Sequence, residues 1–161
     1  MLSWERKLDG IDTSQESFDT CFGCGVDNPY GLKLRFEQDG DSARAEFTLS
    51  EHYEGWYGHA HGGILCTILD EAMAYTYFPK TKGVTARVEV RFRRPAPTGV
   101  PMVVTARLAR RTRKLLKTEA TITLKDGTVI AEGTGQAYVV YDDPPSRGEN
   151  RDHRPPEVTH L

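Results

Sequence analysis

Gly58-His59-Ala60-His61-Gly62-Gly63 stands directly before a stretch that reads as a helix and carries Asp70. Two glycines at a helix start leave backbone N–H groups uncovered by side chains. Those groups lie at the positive end of the helix dipole and suit an oxygen on which negative charge develops. Asp70 is a carboxylate in the middle of a largely apolar helix, where an unpaired charge costs on the order of several kcal/mol. On a helical wheel it falls off the core-facing stripe, beside Cys66, Ala74 and Tyr77, and the small residues there leave room for a ligand. Two readings stand at this point. The set polarises and attacks a carbonyl, or the glycines allow close helix–sheet packing while Asp70 bonds to a neighbouring strand.

Spacing adds a constraint. Gly62 and Asp70 are eight residues apart, which is about 12 Å along one helix. One carbonyl cannot meet both. If both act on it, they come from different subunits, and the sites lie at a dimer interface.

Other residues compete for roles. Glu71 is rotated about 100° from Asp70 around the helix, so the two cannot face one ligand. Spacing favours Asp70 and sends Glu71 to a subunit edge or to a basic strand residue. His59 and His61 can carry protons near neutral pH, but a histidine at a helix start more often holds the turn through a backbone bond. Cys21-x-x-Cys24 invites a zinc reading. A structural site needs four ligands, no second cysteine pair exists, and completing the set with His59 and His61 is a remote option. The two are read as packed thiols in a glycine turn, and Cys66 as a small helix residue.

The elements that must position these residues follow from periodicity. Residues 64–78 place Leu65, Ile68, Leu69, Ala72, Met73 and Thr76 on one helical face. Gly62-Gly63 opens this helix and Pro79 closes it. Ile64, Cys66, Ala74 and Tyr75 are small or apolar beyond that face, as expected of a helix buried on most sides. Residues 32–37 and 43–49 alternate as strands, with Asp39-Gly40 as the hairpin turn between them. Residues 84–92, 102–111, 115–124 and 129–140 are four further strands, and Asp126-Gly127 is a second turn. Alternation puts Thr85 opposite Val84, Ala86 and Val88, away from the helix. The order β-β-α-β-β-β-β makes the chain α+β: five or six mostly antiparallel strands curled around one long central helix.

The chain has 161 residues, a net charge of −2 and three cysteines. That is one domain with a real core, and the overall charge argues against nucleic acid. No apolar run is long enough to span a membrane. Charges near Met1 argue against an export signal. An odd cysteine count then fits reduced thiols and a cytoplasmic setting. Residues 1–20 are polar, with Trp4, Leu8 and Ile11 as anchors for a short helix. The domain proper is expected over 21–141, and residues 142–161 read as a disordered tail.

Three segments together resemble a known family. His61-Gly62-Gly63-Ile64-Leu65-Cys66-Thr67-Ile68-Leu69-Asp70-Glu71 is similar to the signature of hotdog-fold thioesterases of the phenylacetic-acid-degradation type. The stretch 83–96, ending Arg93-Arg94-Pro95-Ala96, resembles that family's strand after the central helix. Cys21-Phe22-Gly23-Cys24-Gly25 and Asn28-Pro29-Tyr30-Gly31-Leu32 resemble an N-terminal extension of many members. The resemblance covers about residues 20–140.

It implies a hotdog fold and hydrolysis of acyl-CoA thioesters by a homodimer or a dimer of dimers, with no cofactor. Gly62 matches the glycine whose N–H polarises the thioester carbonyl. Asp70 matches the catalytic nucleophile or general base, contributed by the opposite subunit. Thr85 matches a hydroxyl that orients the water or the carboxylate. Gly55 departs from the pattern, standing where an Asn or Gln often donates to the carbonyl. Either His59 or His61 supplies that contact, or the oxyanion site is weaker. A non-catalytic acyl-CoA binding protein on the same fold is the alternative. Asp27-Asn28-Pro29 faintly resembles a hydratase motif of the same fold, but its spacing is wrong and it is set aside.

Charge is uneven along the chain. From residue 80 to 117 there are twelve Lys or Arg and one acid, Glu89. Such a patch suits the phosphates of coenzyme A. Arg93, Arg94, Arg110, Arg111, Arg113 and Lys114 are its candidates, and Gly63 and His59 those for the rest of the substrate. The competing reading is a solvated outer sheet face.

Overall fold

Alternating small and apolar residues build one antiparallel sheet, and a single helix fills its concave side. A computed structural model of the chain describes residues 18–142. The expected N-terminal helix anchored by Trp4, Leu8 and Ile11 and the expected tail beyond Asp142 lie outside the described residues.

The elements are β1 (Glu37–Asp39), β2 (Ser42–Phe47), β3 (Glu54–Trp56), β4 (His59–Ala60), α1 (Gly62–Tyr75), β5 (Thr81–Phe92), β6 (Met102–Arg111), β7 (Leu115–Leu124) and β8 (Val129–Asp142). Six strands form one sheet in the order β1-β2-β6-β7-β8-β5, antiparallel throughout. This is the α+β hotdog arrangement. The pair β3–β4 is a second, small sheet that no alternation in the sequence signals.

The helical face reads as its period predicts. Leu65, Ile68, Leu69, Ala72, Met73 and Thr76 are all buried. They pack on Met102 and Val104 of β6, Ala120 and Ile122 of β7, and Ile130 and Ala131 of β8. The helix starts at Gly62 and stops at Tyr75, three residues short of the expected end. Thr76 Oγ1 donates to Met73 O at 2.7 Å. Pro79 disfavours helical backbone at Phe78 and lacks an N–H, so the ladder runs out before it.

The expected strand over 32–37 is the clearest difference. Leu34 is buried as alternation requires, yet only Glu37 joins the sheet. The N–H groups of Leu32 and Leu34 bond instead to Phe22 O at 2.8 Å and Gly23 O at 2.9 Å. This segment lies against the loop at Cys21 rather than against β2, and Lys33 within it has a φ of +54°.

Two turns fit their sequences. Gly40 and Gly127 have φ of +55° and +87°, a region that costs glycine nothing. Among the described residues, no helix is long and apolar enough to cross a membrane.

Candidate active site

Helix α1 approaches β8 closely because that strand presents Gly133, Gly135 and Ala137 to it at the strand period. A Cβ at Gly133 would touch Leu69 at 3.4 Å, and one at Gly135 would meet Met73 Sδ at 2.8 Å and Thr118 Oγ1 at 2.7 Å. Sequence reading missed these small residues as site-builders. Their spacing of two in the last strand was the available signal.

β5 pairs with β8 beyond them: Val90 opposite Gly133, Val88 opposite Gly135, Thr85 opposite Ala137. Directly paired residues share a face, so Thr85, Val88 and Val90 all look toward the helix. Val88 lies three positions after Thr85, an odd step, because the register shifts between Thr85 and Arg87. Ala86 is the extra residue of a β-bulge, which reverses the alternation on one side of it. The expectation that Thr85 faces away from the helix is therefore corrected. Thr85 Oγ1 donates to Asp70 Oδ1 at 2.9 Å.

Asp70 is half-buried. Burial raises its carboxyl above the ordinary carboxylate range, and the Thr85 hydrogen bond works in the opposite direction. A hollow of about 10 Å³ adjoins it, lined by Met73, Ala74, Tyr77, Thr118, Gly135 and Gln136. That is room for one water molecule at most. A broader hollow of about 650 Å³ lies on the outer sheet face among Glu37, Arg44, Arg107 and Glu119, and it includes neither Asp70 nor Gly62.

At the helix start, His61 is the N-cap. Its Nδ1 accepts from Gly63 N–H at 2.9 Å, so the second glycine's donor is taken. Gly62 N–H has no acceptor among the described residues. Of the two expected donors, Gly62 is the one left exposed to an incoming oxygen. The Phe92 ring lies beside it, 3.3 Å from where a Cβ on Gly62 would sit.

Gly55 is explained by the same histidine. It is the unpaired residue where the β3–β4 register shifts, and a Cβ there would lie 2.9 Å from His61 Cα and 2.8 Å from its Cδ2. No amide side chain fits that position beside His61. His59 bonds to Tyr57 O at 3.1 Å through Nδ1. Neither histidine hydrogen-bonds to Asp70 within the chain.

Glu71 sits against the Cys21 loop, in a hollow that Lys82 of β5 also lines. Cys21 Sγ–H donates toward its two carboxylate oxygens at 3.6 and 3.7 Å. Cys66, half-buried, has its thiol pushed up by burial.

The basic patch is largely paired in space. Arg93 bonds to Glu132 at 2.7 Å, and Arg107 to Glu119 at 2.6 Å. Arg87 and Arg91 share Glu89. Arg111 donates to Thr81 Oγ1 at 2.8 Å. Sequence counting missed the acids because Glu119 and Glu132 arrive from β7 and β8. Arg94, Arg110 and Arg113 have exposed side chains and no ion pair among the described residues.

A family model described as "Thioesterase superfamily" matches residues 57–131, the span holding Gly62, Asp70 and Thr85. Over that span, 75 of the chain's 161 residues, the sequence is similar to the thioesterase superfamily. Among solved structures, the chain is similar to a thioesterase superfamily protein at 28% identity with a TM-score of 0.66. That likeness covers 70% of this chain but only 59% of the other. A hypothetical thioesterase protein with coenzyme A from Streptococcus pneumoniae is 18% identical, with a TM-score of 0.64 over 69% of this chain and 91% of that one. The PaaI protein of the E. coli phenylacetic acid degradation operon is 19% identical, with a TM-score of 0.65 over 70% and 83%. The last two likenesses are likenesses of fold. No curated protein matches the sequence.

Proposed function

We propose that this chain is a cytoplasmic acyl-CoA thioesterase acting on aryl- or medium-chain thioesters as a homodimer. The observation that carries the reading is a half-buried carboxylate held by a strand hydroxyl, Asp70 with Thr85, on the helix whose first N–H is free at Gly62. The carbonyl oxygen of the thioester takes the Gly62 N–H. Asp70 of the partner subunit either attacks the carbonyl carbon or draws a proton from water as that water attacks. The C–S bond then breaks and CoA leaves as a thiolate that regains a proton. On the water route the acid forms directly; on the nucleophilic route water must then cleave the acyl–Asp70 anhydride to release the acid and restore the carboxylate. A carboxyl raised by burial is a better base near neutral pH than an exposed one.

Two features support pairing of chains. β5 ends the sheet and is twelve residues long, and an open edge of that length invites another strand. Trp56, Tyr57 and Phe92 are 80%, 93% and 53% exposed near the helix start, as an uncovered interface would be. The coenzyme A-bearing relative supports the choice of carrier, with Arg94, Arg110 and Arg113 the cations left to meet its phosphates.

The test is a panel of acyl-CoAs with free-thiol detection, run on the parent chain and on Asp70→Asn. Turnover by the parent and its loss in the variant support the reading. Turnover retained in the variant refutes the assignment of Asp70. One observation favours a second reading, a binding protein without turnover: Gly55 leaves no room for a second donor. CoA-ester binding with no thiol release would select it.

A further inference from the structure

The loop bearing Cys21 and Cys24 meets α1 on the side that the proposed hydrolysis does not use. Its backbone is tightly wound. Gly23 N–H donates to Cys21 Sγ at 3.3 Å, and Gly25 N–H donates to Cys21 O at 2.9 Å. A Cβ on Gly25 would sit 2.3 Å from Asp19 O and 2.5 Å from Cys21 N, so only glycine fits there. A Cβ on Gly23 would sit 2.6 Å from Glu71 Oε2. The two glycines thus let the loop close on itself and let the Glu71 carboxylate come up against the sulfurs.

The ligand atoms of Cys21, Cys24 and Glu71 all lie within 4.8 Å of one another. Cys21 Sγ stands 3.6 and 3.7 Å from the two Glu71 oxygens. A tetrahedral zinc with Zn–S of about 2.3 Å and Zn–O of about 2.0 Å holds its S and O ligands roughly 3.5 Å apart. The Cys21–Glu71 spacing already matches. The N–H from Gly23 to Cys21 Sγ is also the contact a thiolate favours, since it places a donor on the charged sulfur.

We propose that Cys21, Cys24 and Glu71 form a zinc site of the open type, three protein ligands with the fourth position left to water, joining the N-terminal loop to helix α1. This inference stands independently of the thioesterase reading. Two thiolates select a soft or borderline ion over magnesium or calcium. Zinc binds cysteine as the thiolate, so each ion taken up would release protons from the two thiols. Cys21, Cys24 and Glu71 border a hollow of about 180 Å³ that Phe18, Tyr75, Tyr77, Phe78 and Lys82 also line, and water from it would take the fourth position. Glu71 is not read as a third ligand from the sequence because it lies fifty residues from Cys21. His59 and His61, the completion weighed from the sequence, are not part of the cluster.

The experiment uses the full chain, reduced and free of any polyhistidine tag. Its zinc content is measured by elemental analysis after dialysis against zinc, and cobalt(II) is titrated into the zinc-free protein. The proposal expects one zinc per chain. It also expects thiolate-to-cobalt charge-transfer bands with the intense visible bands of a tetrahedral ion. Cys21→Ser with Cys24→Ser should abolish both, while Glu71→Gln should weaken binding by more than the roughly tenfold that even an outer-shell change costs. A serine pair that fails to fold leaves the decision with the parent's cobalt spectrum. An octahedral spectrum, the absence of stoichiometric zinc, or full retention of zinc by a folded serine pair would overturn the site. A Cys21–Cys24 disulfide recovered from the cell, with no metal uptake after reduction, would assign the pair to redox chemistry and overturn it too.

Discussion

Asp70 and Glu71 differ by one methylene and by about 100° around the helix, and the fold gives them different company. Asp70 meets a strand hydroxyl, Thr85, in a small hollow walled by Met73, Ala74 and Gly135. Glu71 meets two thiols on a loop that only glycines allow to come so close. The first setting is dry enough to raise a carboxyl and leaves one oxygen for chemistry. The second gathers two thiols and a carboxylate, their ligand atoms within 4.8 Å of one another. Direction from the helix axis, more than residue type, separates a base from a ligand here.

The sharpest way to break the comparison is to neutralise each acid in turn. Asp70→Asn is expected to lower kcat by about 10²–10⁴, the range lost with a general base, whereas Glu71→Gln should cost far less activity and chiefly metal. Equal losses in both would erase the distinction. Stability should move the other way. The folded state holds the Asp70 proton to higher pH than the unfolded chain does, because burial raises it. Stability therefore falls as pH rises from the ordinary carboxylate value through the raised one. Asn stays neutral throughout, so at neutral pH Asp70→Asn should show a Tm no lower than the parent's.

Glycine replacements sharpen the contrast next. In Gly135→Ala the new methyl meets Thr118 Oγ1 at 2.7 Å and Met73 Sδ at 2.8 Å, inside a packed core. Overpacking of that kind costs about 1–3 kcal/mol, read as a lower Tm together with reduced turnover. In Gly23→Ala the methyl meets the far end of Glu71, which can swing away. Denaturant unfolding should register little there, while zinc affinity falls.

A third comparison removes the hydroxyl. Thr85→Ala should reduce kcat/KM by about tenfold, equivalent to roughly 1.4 kcal/mol for a hydrogen bond to a charged group. The acid limb of the pH–rate profile should also move upward, because the bond that opposed burial is gone. Thr85→Ser should restore both. An unmoved limb would make Thr85 a packing residue only. Smallest is His61→Ala, which removes the cap on Gly63 N–H. About 1 kcal/mol of stability is expected to go with it, measurable by urea titration.

Much of the framework was legible. The period of α1 named its buried face residue by residue, and Asp39-Gly40 and Asp126-Gly127 marked real turns. These are local matters, in which a residue's neighbours in sequence are its neighbours in space. Three readings failed for non-local reasons. Thr85 was turned by a bulge that no residue type announces, since Ala86 is an ordinary strand residue. The basic run was paired by Glu119 and Glu132 from distant strands. The 32–36 segment gave its backbone bonds to the Cys21 loop.

The sequence by itself determined that one helix with a glycine start and an off-stripe acid would lie in an antiparallel sheet, because hydrophobic period and turn chemistry are written in adjacent residues. Only the tertiary structure decided which acid meets a hydroxyl and which meets thiols, and which glycine keeps a free N–H. Those outcomes depend on strand register and loop closure, where a shift of one residue redirects a side chain to the opposite face.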